Sequence, residues 1–250
     1  MLDEKLSKLN ENWVSRFVEK TFKDQLSANH LTLIGLGLGI VSALLIFLTG
    51  YLEWESGFHL ALTDFWGILS SEGWNAAWTG SETSGSPLFG WKWMKGDSMI
   101  LGAAIVMSIS FLFDVFDGAM ARIEGPSDYG GVLDIFCDRS VEVILIISIV
   151  SNDPIHLGLS GTLALGSIVV CITIFLLVGG KIDEDDVEQM PEKKKVIYYA
   201  GGLMERTETF IFIFLMLVFG PFREFLLYLF AGLVFITALQ RLFHARKLLK

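Results

Sequence analysis

The sequence is short of the residues that mark most secreted, disordered and nucleic-acid-binding proteins. It has two cysteines, Cys137 and Cys171, both in apolar or site-lining positions and without metal-ligand spacing. A disulfide framework and a zinc module are therefore excluded, and both thiols read as reduced packing residues. Prolines number five and charged residues make up only 19%, which excludes a low-complexity or disordered chain. Positive charge is scarcer than negative, 19 Lys and Arg against 28 Asp and Glu, for a formal charge of −9. With no dominant basic surface, no nucleic-acid partner is expected. Residues 1–28 are charged throughout and hold no central apolar block, so no cleaved leader is expected there. No internal repeat is visible.

What the chain has in abundance is apolar length. Hydrophobic residues reach 52% and the mean hydropathy is +0.55, the composition of an integral membrane protein. Six apolar stretches are legible: about Leu31–Leu52, Met99–Arg122, Val132–Ser151, Leu157–Val178, Thr207–Phe219 and Glu224–Leu242. Most are near the ~20 residues that a bilayer requires, and the fifth is short. The expected fold is all-α, with six transmembrane helices and an N-terminal amphipathic interfacial helix. Residues 5–26 supply that helix, with Trp13, Val14, Phe17, Val18 and Phe22 on one stripe beside Lys8, Arg16, Lys20 and Lys23. The chain so divides into a juxtamembrane helix (1–28) and a membrane domain (29–250).

Within that domain, residues 54–97 stand apart. Six of the seven tryptophans lie there with a polar tract from Thr79 to Ser86, which suits an insertion at the membrane–water boundary. Recognition of a partner or lipid is the other reading of the same residues. Basic residues set the orientation. With the N-terminus inside, only Lys92, Lys95 and Arg223 of the 19 Lys and Arg fall outside. This places the turn after the second span at the cytoplasmic face.

That turn is the centre of interest. Asp114 and Asp117 end the second apolar stretch, and Asp134 and Asp138 open the third. Spacings of i,i+3 and i,i+4 put each pair on one helix face. Ionisable groups at membrane depth are costly unless paired, solvated or metal-bound. Four converging acids would repel one another, and a divalent cation or two is the simple remedy, since hard cations take carboxylate oxygens and Mg²⁺ commonly combines carboxylates with substrate phosphates. An ion path through a transporter would also explain intramembrane acids. Between the pairs, Gly118, Ala119 and Ala121 strip bulk from a helix, Arg122 offers a phosphate-matching fork of donors, Gly125-Pro126 breaks the helix, and Gly130-Gly131 permits re-entry into the next. Asp128 reads as a solvated loop acid.

This stretch resembles the signature of the CDP-alcohol phosphotransferase family, D-x2-D-G-x2-A-R-x8-G-x3-D-x3-D. Asp114, Asp117, Gly118, Ala121, Arg122, Gly130, Asp134 and Asp138 fall on its fixed positions, with seven residues instead of eight between Arg122 and Gly130. The resemblance implies transfer of a phosphatidyl group from CDP-diacylglycerol, or a related CDP-alcohol, to an alcohol acceptor, with CMP leaving. A same-class alternative takes CDP-choline or CDP-ethanolamine with a lipid acceptor. It further implies Mg²⁺ or Mn²⁺, two ions, held by Asp114, Asp117 and Asp134. Asp138 would be the general base and also a metal contact, and Gly118, Ala121, Arg122 and Gly130 would line the CDP pocket. The residues alone support at least one ion.

Three further implications follow from the same resemblance. Asn29 and Thr32 match part of a family pattern at the start of the first span, and read either as nucleotide contacts or as helix capping. Arg139 and Arg206 resemble residues of members that make inositol-phosphate lipids, and read either as holders of an anionic acceptor or as an Arg–Glu network with Glu142 or Glu208. Those relatives carry arginines at the end of the fourth span, where this chain has Gly179-Gly180-Lys181, so Lys181 would stand in. A homodimer is the family expectation.

Overall fold

The computed structural model describes residues 14–22, 26–56, 95–125, 127–181 and 202–248. Most of the tryptophan-rich stretch and the polar stretch after the fourth span lie outside the described residues, as does Trp13. Among the described residues every regular element is helical. An N-terminal segment (14–22) is followed by α1 (Ala28–Ser56), α2 (Lys95–Glu124), α3 (Asp128–Asn152), α4 (Pro154–Gly179), α5 (Arg206–Val218), a 3₁₀ turn (Gly220–Phe222) and α6 (Arg223–Leu248).

Four helices are long and apolar enough to cross a membrane: Ala28–Thr49, Met99–Glu124, Pro154–Gly179 and Arg223–Arg246. The other two expected spans are present as helices but miss that standard, each for a physical reason. α3 is 25 residues long but carries Asp134, Asp138, Arg139 and Glu142 between its start and a little past its middle. α5 has only 13 residues, a rise of about 20 Å at 1.5 Å per residue. Large apolar side chains face outward along the long helices, among them Leu44, Phe47, Leu101, Ile105, Val169 and Phe235. Water would tolerate such a belt poorly, and lipid requires it. The chain is a multi-pass membrane protein.

α1 packs against both α2 and α3, and small residues make the approach close. Ser42 donates its hydroxyl to the Ala103 carbonyl at 2.8 Å, and Ser110 donates to the Gly35 carbonyl at 2.7 Å. A Cβ on Gly39 would meet Val141 Cγ2 at 2.5 Å, so only glycine lets α3 lie this near. α4 packs mainly on α6, and α5 touches α2, α3 and α6. The main core, with Ile46, Leu145, Ile149, Met216, Leu227 and Phe230, runs between the two groups.

The N-terminal segment turns its apolar stripe inward. Val14 and Val18 are buried against Leu31, Ala119 and Met120, while Phe17 and Phe22 lie 5.6 and 6.1 Å from the Phe116 ring. The stripe expected from the sequence therefore covers the end of α2 that carries the acids.

The turn into α3 differs in detail from the sequence expectation. Gly125 takes φ +95°, the left-handed region that glycine alone enters cheaply, and it reverses the chain. Gly130 and Gly131 are already inside the first turn of α3. Ser127 caps that helix by accepting a hydrogen bond from the Gly130 N–H at 3.1 Å. Glycine is needed at 130 for room, because a Cβ would stand 2.8 Å from Ser127 Oγ and 3.3 Å from Asn29 Oδ1.

Candidate functional site

α2 and α3, each packed on α1, bring both acid pairs to one place. Carboxylate oxygens of Asp114, Asp117 and Asp134 all lie within 4.8 Å of one another. On these residues, Asp117 Oδ2 and Asp134 Oδ1 are sealed from solvent yet accept no hydrogen bond. Buried acceptors of this kind are expensive unless something electropositive meets them. The donor set is all carboxylate oxygen, as hard divalent cations prefer. These residues fit a metal centre.

Asp138 stands one helical turn beyond Asp134 and is largely buried. Arg206, at the first position of α5, hydrogen-bonds Asp138 and also ion-pairs with Asp114. Its second Nη lies 3.7 Å from Asp134 Oδ1. The sequence reading offered Arg206 an acceptor role or a pairing with Glu142 or Glu208, and in the structure it bonds aspartates from both acid pairs. Its position is fixed from outside. Just before α5, the Leu203 N–H donates to Gln240 Oε1 at 3.1 Å and the Met204 N–H donates to Thr237 Oγ1 at 2.9 Å, both on α6. Glu142 is taken by Arg139, at 2.5 Å on the same helix face. The sequence expectation pairs Glu142 with Arg206, and in the structure its ion pair is with Arg139 instead.

Two cavities meet at this cluster. The first, about 70 Å³, lies between α1, α2, α3 and α5, with Thr32, Asp114, Asp117 and Asp138 on its wall. Cys137 also borders it, which agrees with a site-lining thiol. The second, about 220 Å³, lies between α3, α4, α5 and α6. Asp138, Arg139, Glu142, Arg206 and Thr209 belong to both walls. A group held in either cavity is therefore in reach of Asp138. Sequence reading missed one charged wall residue of the second cavity, Arg241 near the end of α6. It had been counted only for topology, and its distance along the chain from the motif left no local signal.

The other expected residues separate into near and far. Thr32 is buried and faces Asp117, while its hydroxyl also donates to the Ala28 carbonyl at 3.1 Å. Asn29 sits beside Gly130. Gly118 has open space where a Cβ would be, so the missing side chain leaves room on this face of α2 and does not serve a helix contact. Arg122 is exposed one turn further on, and Ala121 is half-buried. Lys181 is exposed in the turn after α4 and is not on the wall of either cavity.

Comparison with known proteins agrees with this geometry. The family model described as CDP-alcohol phosphatidyltransferase matches residues 79–240, well over half of the chain, and includes all four aspartates. Inner membrane protein YnjF of Escherichia coli (strain K12) is 27% identical over 60% of this chain and 73% of its own length. Archaetidylinositol phosphate synthase of Pyrococcus horikoshii is 32% identical over 59% of this chain and 71% of its own. The crystal structure of Mycobacterium tuberculosis phosphatidylinositol phosphate synthase (PgsA1) with CDP-DAG bound shares the fold, with a TM-score of 0.60, 18% identity and 94% of each chain covered. With an acid cluster carried by two successive helices and a family match spanning both, this chain belongs to the CDP-alcohol phosphatidyltransferase family and is a membrane transferase of that class.

Proposed function

We propose that the protein transfers a phosphatidyl group from CDP-diacylglycerol, or a close CDP-alcohol, to an alcohol acceptor and releases CMP. The observation that carries this reading is the convergence of Asp114, Asp117 and Asp134 oxygens within 4.8 Å, on residues of which two, Asp117 and Asp134, each keep a sealed oxygen without a hydrogen bond. Relatives support the donor: the structural neighbour holds CDP-DAG, and one curated relative is an archaetidylinositol phosphate synthase.

Asp114, Asp117 and Asp134 are the residues that would hold Mg²⁺ or Mn²⁺, two ions in this reading, with Asp138 at their edge. Bound there, divalent cations neutralise the diphosphate and stabilise the leaving oxygen. The chain does the rest. Gly118 leaves the face of α2 open for the CDP moiety, with Ala121, Arg122 and Gly130 along the same path and Asn29 and Thr32 facing it from α1. Asp138 accepts the proton of the acceptor hydroxyl as that oxygen bonds to the phosphorus next to the lipid ester. The bond from that phosphorus to the bridging oxygen breaks, and CMP departs with the electron pair. Arg206 holds Asp138 in place through its guanidinium, and Arg139 and Arg206 border the space from which the acceptor would approach. Six helices would span the bilayer, α3 and α5 included, with the N-terminal segment at the interface and the aspartates at the cytoplasmic face. We read the assembly as a homodimer.

The test uses the purified full chain in detergent with CDP-diacylglycerol, Mg²⁺ and a panel of acceptors: serine, glycerol, glycerol 3-phosphate, inositol and inositol 1-phosphate. CMP release that needs both cation and acceptor is expected. If no acceptor elicits CMP, the reading fails.

A further inference from the structure

We infer that Arg206 is a resident counter-cation of the acid cluster: its guanidinium shares Asp114 with the divalent ion, so the protein alone holds that ion loosely and firm binding depends on an incoming diphosphate. This rests on the reading of Asp114, Asp117 and Asp134 as cation ligands and adds how their affinity is set.

The guanidinium divides the four acids unevenly. It is bonded to Asp114 of α2 and Asp138 of α3, one acid from each pair. Asp134 Oδ1 lies 3.7 Å from it, too far for a hydrogen bond. Asp117 Oδ2 and that same Asp134 Oδ1 stay sealed and accept no hydrogen bond. The arginine thus neutralises one side of the cluster and leaves the other side to a different cation. Asp114 belongs to both sides. It is bonded to Arg206, and its carboxylate also converges within 4.8 Å on the oxygens of Asp117 and Asp134. Arg139, the next nearest guanidinium along α3, is turned to Glu142.

Arg206 does not stand where it does for the sake of α5. It occupies the first position of that helix, where a cation opposes the helix macrodipole. The aspartates hold it there, and the hydrogen bonds from Leu203 and Met204 to α6 fix the place from which it reaches them. Two cations on one carboxylate repel each other, the more so where water is scarce. An ion that takes Asp114 therefore meets a guanidinium already bonded to it. A diphosphate brings the opposite charge and oxygens of its own for the ion, and both lessen that repulsion. Cation and nucleotide should then favour each other's binding, by the same factor in either direction.

The experiment titrates the full chain in detergent with Mn²⁺, read by the loss of the free-ion electron paramagnetic resonance signal, with and without CDP. Without CDP, Arg206→Gln should bind Mn²⁺ about 10- to 100-fold more tightly than the wild type, the span over which groups behind metal ligands act. CDP should tighten Mn²⁺ binding by the wild type and do so far less for Arg206→Gln. Arg206→Lys keeps the charge but not the fork that reaches two aspartates, so its affinity should fall between the two. Arg246→Gln removes an exposed arginine that lines neither cavity, and it should match the wild type. A second measurement needs no nucleotide: after EDTA, Arg206→Gln should melt below the wild type, and added Mn²⁺ should raise its Tm by more. Equal or weaker Mn²⁺ binding in Arg206→Gln, an equal effect of CDP in both proteins, or the same tightening in Arg246→Gln would overturn the inference. Should Arg206→Gln fail to fold, Arg206→Lys decides alone, and an affinity no higher than wild type overturns it. The expected tightening together with no CMP from any acceptor would instead overturn the transferase reading and leave the role of Arg206 standing.

Discussion

The two halves of the membrane domain are built to different standards. In the α1–α2–α3 half, glycine and serine bring backbones together, and Ser42, Ser110 and Gly39 sit where helices touch. In the α4–α5–α6 half, large apolar side chains such as Phe230, Leu227 and Met216 fill the contacts, and a 220 Å³ space remains beside Arg206 and Asp138. The first half holds oxygens at separations a cation can use, which demands rigid backbones. The second surrounds a space that, in the proposed reaction, the acceptor enters and leaves. The difference teaches that the close-set acids and the larger open space are housed separately, with Arg206 and Asp138 at the joint.

The largest expected effect comes from the joint itself. Asp138→Asn should lower CMP release about 10²- to 10⁴-fold with every acceptor, the range for loss of a general base, while the melting temperature stays near wild type. Retained turnover would take the base role from Asp138. Asp114→Asn and chelation by EDTA should both abolish activity, and Mg²⁺ or Mn²⁺ should restore only the chelated wild type. If EDTA-treated protein keeps working, the acids of the tight half hold no essential cation.

Packing predictions sharpen the same contrast. Gly39→Leu should destabilise the fold by about 1–3 kcal/mol, because Val141 occupies the space and its backbone cannot retreat. The same enlargement at Gly232 of α6, where a Cβ meets nothing within 4 Å, should leave the melting temperature nearly unchanged. Equal effects at the two sites would erase the distinction between the halves. The smallest effect is expected at Glu124. Its carboxylate accepts a hydrogen bond from the Ala28 N–H at 3.1 Å, which ties the start of α1 to the end of α2. Glu124→Gln should cost about 1 kcal/mol or less and raise the donor KM a few-fold without altering acceptor preference.

Much of this could be read directly from the residues. Hydropathy located all six helices of the membrane domain within a few residues, because apolar length is a local property. Ends were less legible: α6 continues to Leu248, past the expected Leu242, since its last turns are amphipathic and not apolar. The acid pairs were legible because their spacing within each helix is local as well. What escaped notice depends on which helices become neighbours. Arg206 lies 68 residues from Asp138, and Arg241 lies 70 from Cys171. No periodicity records such pairs. Glu124 escaped for the same reason, and Lys181, a candidate from its place after the fourth span, stands exposed and off the wall of either cavity.

The left-handed turn at Gly125 has a consequence for how this chain tolerates change. Because the reversal at Gly125 is complete before α3 begins, a change of chain length ahead of the Ser127 cap leaves the register of Asp134 and Asp138 within α3 unaltered. A residue gained between Gly131 and Asp134 would be different. It would advance Asp134 and Asp138 by 1.5 Å and swing them through about 100°, away from their counterparts on α2. Length polymorphism is thus permitted on one side of Ser127 and forbidden a few positions later.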